Sequence, residues 1–153
     1  MSIEVYDNFL PTEVFNPIKE FVFGGVMPWY YMDNSVKKGD GCPQFSHGLY
    51  GDSEPRSEVY EIVKPIFATL NPFAIHRVKF NATSRTTEIK EKPLHVDITG
   101  PSDSPEPPFE NVPDYHICVI YFNDNNGYTY FEDGQKVLSK ENRAVIFMSL
   151  IHI

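Results

Sequence analysis

Basic charge is scarce in this sequence: 13 Lys and Arg face 21 Asp and Glu, and the formal net charge at neutral pH is −8. Such a chain has no basic face with which to displace counterions from phosphates, which argues against nucleic acid as a partner. Cysteine is nearly absent. Cys42 and Cys118 stand far apart with no CxxC pair, so neither a disulfide framework nor a cysteine-rich zinc site is signalled, and a reducing compartment suits the composition. No apolar run approaches the length that spans a bilayer, and "MSIEVYDNFL" lacks the basic stretch followed by an apolar run that marks a secretory leader. The expectation is a cytoplasmic protein with no membrane partner.

What is present is a core. Hydrophobic residues make up 41% of the 153 positions and aromatics 14%, which suits one globular domain with bulky interior side chains. A short strand over 3–6 precedes "PTEVFNPIKEFVF", which spaces Val14, Phe15, Ile18, Phe21 and Val22 on one helical face, with Pro17 restarting or kinking the helix. A second helical pattern over about 54–70 aligns Val59, Ile62, Val63, Ile66, Phe67 and Leu70, with a bend at Pro65.

From residue 74 the period changes to two. "AIHRVKFNA" alternates, "PLHVDI" is short and apolar, "DYHICVIYF" is β-branched and aromatic, and "YTYF", "KVL" and "RAVIFMSL" follow at close spacing. Asn126-Gly127 is the strongest hairpin signal, and "EDGQ" at 132–135 is a second tight turn. The reading is an α+β, mainly β, single domain: residues 1–73 as a helical buttress and 74–153 as a small antiparallel sandwich or barrel. Two stretches, 33–48 and the proline-rich 99–113, read as long loops of the kind that cover binding sites. Trp29, Tyr30 and Tyr31 are candidates for the same mouth, with a place in the core as the plainer reading.

The triplet "HVD" places His95 and Asp97 two positions apart, so on a strand both point to one side. Imidazole plus carboxylate on one face, completed by a second imidazole from another strand, is the two-histidine, one-carboxylate facial triad of non-haem Fe(II), with positions left open for oxygen chemistry. Alone, an HxD triplet is a common coincidence. His116, His76 and His47 read as structural histidines.

The surrounding motifs raise its weight. After HxD come "IYFN" at 120–123, then "NGYTYF" with Gly127, Thr129 and Phe131, then "NRAVIF" with Asn142 where a glycine is usual. In this order the sequence resembles the prolyl-4-hydroxylase-like family of Fe(II)- and 2-oxoglutarate-dependent oxygenases over about residues 75–150. The opening "VYDNFLPTEVFNPIKEF" is similar to that family's first strand and helix.

The resemblance implies a double-stranded β-helix (jelly roll) holding Fe(II) through His95, Asp97 and His152, the histidine that follows the "NRAVIF" strand. It implies 2-oxoglutarate and O2 as cosubstrates, with decarboxylation to succinate and CO2 coupled to hydroxylation of an unactivated C–H bond. The substrate would be a small molecule or a protein side chain such as proline. Tyr121 falls where the family's tyrosine meets the distal carboxylate of 2-oxoglutarate, and Asn81 is a second cosubstrate candidate. The family also places a basic residue on a later strand to anchor that carboxylate. Nothing follows Ile153 here, so the resemblance reads as shortened, with Arg77, Lys79 or Arg143 left to serve and an exposed edge open to association. The competing reading is a catalytically silent jelly-roll binding or structural module that has lost the cosubstrate clamp.

Overall fold

The computed structural model describes residues 2–97 and 115–148. In chain order the elements are β1 (Glu4–Tyr6), α1 (Thr12–Phe23), β2 (Tyr30–Met32), β3 (Gln44–Gly51), β4 (Glu54–Pro55), α2 (Tyr60–Val63), α3 (Ile66–Leu70), β5 (Val78–Ala82), β6 (His116–Tyr121), β7 (Tyr128–Tyr130), β8 (Lys136–Leu138) and β9 (Arg143–Met148). Among the described residues every strand pairing is antiparallel. The chain is mainly β with few helices. Among the described residues no helix is long and apolar enough to cross a membrane.

The chain divides into two compact units, one made of residues 1–9 with 93–153 and the other of residues 10–92. In the 10–92 unit, α1 buries Phe15, Ile18 and Val22, the stripe its 3.6-residue period dictates. The helix continues through Pro17 without restarting, at the cost of one backbone donor. The second helical pattern is broken into α2 and α3 on either side of Pro65, and Asn71 ends α3 in the left-handed conformation at φ 46°. Residues 54–55, expected to be helical, form β4 instead.

The reason for β4 lies in the turn before it. Asp52 and Ser53 both have positive φ, 50° and 64°, and Gly51 pairs directly with Glu54. This is a two-residue hairpin of the primed class, whose twist matches that of its strands. It folds β4 onto β3, and β3 also pairs β2 and β5. The 1–73 segment, expected to be helical support with one short strand over 3–6, therefore supplies β2, β3 and β4 as well. The stretch 33–48 is likewise not one long loop, because its last five residues belong to β3. Its first part is organised by Asp40, whose Oδ2 accepts from the backbone N–H groups of Ser35, Val36 and Lys37 at 3.1, 2.7 and 3.2 Å. These hydrogen bonds, led by that of Val36, hold the Asp40 carboxyl well below the usual carboxylate range.

In the other unit, β9 is the centre of a three-stranded sheet ordered β1-β9-β6, while β7 and β8 form a separate ribbon. β9 is β-branched and aromatic and covered on both faces: Ala144, Val145 and Phe147 are at most 1% exposed. Phe131, Val137, Val145 and Phe147 make the core, with Ile3, Ile117, Val119 and Tyr121 packed against it. The alternation of Ile117, Val119 and Tyr121 along β6 is the period-two pattern of a strand with one face turned to this core. Phe131 and Phe147 meet edge to face, centroids 5.2 Å apart.

The hairpin expected at Asn126-Gly127 is not formed, because β6 pairs with β9 and not with β7. The Gly127 N–H is instead captured by Asn125 Oδ1 at 2.7 Å, the local competition that asparagine side chains offer a turn. The tight turn expected over "EDGQ" does close the β7–β8 ribbon. Gly134 sits at φ 86°, and its N–H donates to the Phe131 carbonyl at 2.9 Å.

Candidate functional site

His95 and Asp97 fall in the unit of residues 1–9 and 93–153, but not on a strand. Residues 91–97 join no ladder, so the strand expected over "PLHVDI" is absent from its described part. Pro93 supplies no backbone donor, which weakens any pairing there. The two side chains still converge: His95 Nε2 stands 3.9 Å from Asp97 Oδ1, with the side chains 29% and 17% exposed.

The neighbouring carbonyl sets the state of the imidazole. His95 Nδ1 lies 3.2 Å from the Pro93 oxygen. A carbonyl only accepts, so Nδ1 carries a proton, and in the neutral ring Nε2 presents its lone pair on the side of the carboxylate. This is the outer contact that fixes the tautomer of metal-binding histidines. Two ligands held at about 2.1 Å from one ion are about 3 Å apart when adjacent and about 4.2 Å apart when opposite. The observed 3.9 Å lies inside that range. One imidazole nitrogen with one carboxylate oxygen is a donor set that suits a divalent transition metal.

His152, the third ligand implied by the resemblance, lies outside the described residues. Among the described residues no group of three or more His, Cys, Asp and Glu side chains is placed to hold a metal.

Tyr121 ends β6 with its ring against the core, and its hydroxyl donates to Thr129 Oγ1 at 2.6 Å, with the Val137 carbonyl at 3.4 Å. Burial raises the phenol's pKa, while Thr129 and the charge of Arg143 oppose the rise. Thr129 is the middle residue of the "GYTYF" motif, so two of the motifs singled out in the sequence meet through their hydroxyls. The sequence names both residues but not their contact, which depends on how the ribbon lies over the sheet.

Arg143 is the direct cross-strand partner of Tyr121, so the two side chains share a face of the sheet. Its guanidinium is occupied: Nε and Nη2 donate to Asp7 at 2.6 and 3.0 Å, and Nη1 donates to the Leu138 carbonyl at 3.1 Å. Lys140 reaches the same carboxylate at 3.0 Å. Asn81, Arg77 and Lys79 belong to the 10–92 unit. There Asn81 is the register partner of Ser46, whose hydroxyl donates to Asn81 Oδ1 at 3.2 Å. The loop 99–113, expected to cover the site, lies outside the described residues.

Compared with family models, curated proteins and solved structures, the chain shows no match to any of them.

Proposed function

We propose that the chain is an Fe(II)- and 2-oxoglutarate-dependent dioxygenase of the prolyl-4-hydroxylase-like kind, built as a double-stranded β-helix. It would hydroxylate an unactivated C–H bond of a prolyl or other amino-acid side chain, or of a small molecule. The observation that carries this reading is the His95–Asp97 pair, with Nε2 left as a lone-pair donor 3.9 Å from a carboxylate oxygen. His95 and Asp97 would hold the ion, with His152 as third ligand. Bound iron and O2 would supply the oxidation, one oxygen atom going to the hydroxylated product and the other to succinate, formed with CO2 from 2-oxoglutarate. The phenol of Tyr121 would orient the distal carboxylate of 2-oxoglutarate by turning its one hydrogen from Thr129 to that carboxylate.

The occupied guanidinium of Arg143 favours the second reading, a module that keeps the architecture without turnover. With its donors committed to Asp7 and a carbonyl, Arg143 has no ready fork for a second carboxylate.

Anaerobic titration with ferrous ion and with Co(II), followed by succinate formation from 2-oxoglutarate in air, separates the two. The oxygenase reading expects one tightly bound ion and succinate formation lost in both His95→Ala and Asp97→Ala. Metal binding without succinate supports the silent module, and failure to take up either ion overturns the oxygenase.

A further inference from the structure

The 10–92 unit contains a second grouping of reactive side chains that the iron reading does not use. His47, on β3, is 4% exposed. Its Nδ1 lies 2.6 Å from the Pro28 carbonyl, so Nδ1 is the protonated nitrogen. Its Nε2 lies 2.8 Å from Ser57 Oγ. With Nδ1 protonated in the neutral ring, Nε2 accepts, and the Ser57 hydroxyl is the donor.

A hydroxyl that donates to a fixed imidazole, itself oriented by a third group, is the arrangement that activates serine as a nucleophile. Here a backbone carbonyl replaces the usual carboxylate as the orienting group. The β3–β4 hairpin creates the contact by turning at Asp52 and Ser53. The ladder then continues through Arg56 N–H to the Leu49 carbonyl at 2.8 Å, which brings Ser57 back toward β3. Tyr30 packs edge-on against the imidazole at 5.5 Å between centroids and limits its rotation.

Ser57 is partly exposed and lines an open depression of about 420 Å³ with Pro55, Arg56, Glu58 and Glu61. The hydroxyl oxygen also accepts the Val59 N–H at 3.2 Å, which uses one lone pair and leaves the second for attack. Of the charges at the rim, Arg56 is paired with Asp52 and Glu54 and Glu61 with Lys64, and the carboxylate of Glu58 adds a negative charge that disfavours anionic ligands.

The geometry points to a hydrolytic site within the 10–92 unit, built without His95 or Asp97: Ser57 as nucleophile and His47 as its base, acting on small uncharged or cationic carboxylic esters in this depression. Ser57 Oγ forms a bond to the ester carbonyl carbon, and its proton passes to His47 Nε2. The imidazolium returns that proton to the departing alkoxide, which leaves as the alcohol, with the acyl group on Ser57. Water then attacks the acyl carbon and gives a proton to His47. That proton goes back to Ser57 Oγ as the carboxylic acid departs, so the net change is ester plus water to acid plus alcohol.

The full chain, treated with a fluorophosphonate and mapped by peptide mass, is expected to carry the adduct on Ser57. Hydrolysis of p-nitrophenyl acetate in the presence of EDTA is expected to persist in the parent protein. It should fall to the buffer rate in Ser57→Ala and in Ser57→Asn, the latter keeping a side-chain oxygen for the Val59 N–H. His47→Gln should lower it by roughly 100-fold. Absence of an adduct on Ser57 in the parent protein overturns the assignment whatever the variants do. So does ester hydrolysis undiminished in Ser57→Asn.

Discussion

The Tyr121 phenol donates to the Thr129 hydroxyl at 2.6 Å, joining the last residue of β6 to the middle of β7. The two strands share no ladder, since β6 pairs β9 and β7 pairs β8. This bond is therefore a polar link between the three-stranded sheet and the ribbon that covers it, placed beside the apolar contacts of Phe131 and Val137.

Removing it has a measurable cost. Tyr121→Phe keeps the ring and is expected to lower stability by about 0.5–1.5 kcal/mol in urea unfolding, the net worth of one partly buried hydrogen bond. Thr129→Val is expected to cost a similar amount, and the double variant little more than the worse single, because both delete the same bond. Strictly additive losses would show that the two hydroxyls act separately. If Tyr121 also orients 2-oxoglutarate, Tyr121→Phe raises the KM for that cosubstrate more than it lowers kcat.

Asp7 sets an acid limit on the same unit. Hydrogen bonds from Arg143 and then Lys140 hold its carboxyl well below the ordinary carboxylate range. A folded-state pKa below the unfolded value gives stability that is present above the unfolded pKa, about 3.9, and is lost as pH falls through the folded value. The parent protein should thus lose stability on acidification below about pH 4, and Asp7→Asn should flatten that limb while lowering stability near neutrality. Both groups are solvent-accessible, so added salt should shrink the difference. Thermal melts from pH 7 to pH 2, at low and high salt, measure all three effects. An unchanged acid limb in Asp7→Asn would remove the Arg143–Asp7 pair from the account.

Cys118 gives a check on the burial of β6. Desolvation alone pushes its thiol up to about 12. The reactive species is the thiolate, which at pH 8 is then roughly one part in ten thousand of the total. Iodoacetamide at pH 8 is therefore expected to modify Cys118 at least 100-fold more slowly in the native chain than in guanidinium, read by peptide mass. Equal rates would mean that β6 is not packed as described.

Periodicity made the helices and five of the later strands legible. The stripe of Phe15, Ile18 and Val22 and the alternation Val78, Phe80 and Ala82 are properties of single segments, and each is seen in the fold. Pairing was harder to read, because it depends on which segments meet. Asn126-Gly127 carried the stronger turn signal, yet Asn125 captured its backbone locally. The primed turn formed at Asp52-Ser53, where neither residue is a glycine. The same limit applies to the sites. His95 and Asp97 are two residues apart and declare themselves, whereas His47 and Ser57 come together only because of that unheralded hairpin. The HxD pair kept its one-sided geometry without a strand, since the contact from His95 Nδ1 to the Pro93 carbonyl is itself local.

Asn142 stands where the resembled motif carries glycine, and its backbone explains why that exchange is tolerated. It has φ 55°, in the left-handed region that glycine enters freely and asparagine enters more readily than other side chains. The conformation is demanded from both sides, because the Asn142 N–H donates to the Tyr121 carbonyl at 3.0 Å and its carbonyl accepts the Phe9 N–H at 2.9 Å. It thus ties the end of β6 and the segment that follows β1 to the start of β9, next to Arg143. Both Asn142→Gly and Asn142→Ala remove whatever the asparagine side chain contributes, so the difference between them isolates the backbone. Asn142→Ala is expected to be less stable than Asn142→Gly by about 1 kcal/mol, the left-handed penalty offset in part by the greater chain entropy of glycine when unfolded. Urea midpoints at pH 7 decide it. Equal stabilities, or alanine above glycine, would mean that the turn relaxes out of the left-handed region and that the β6–β9 end is not held by this geometry.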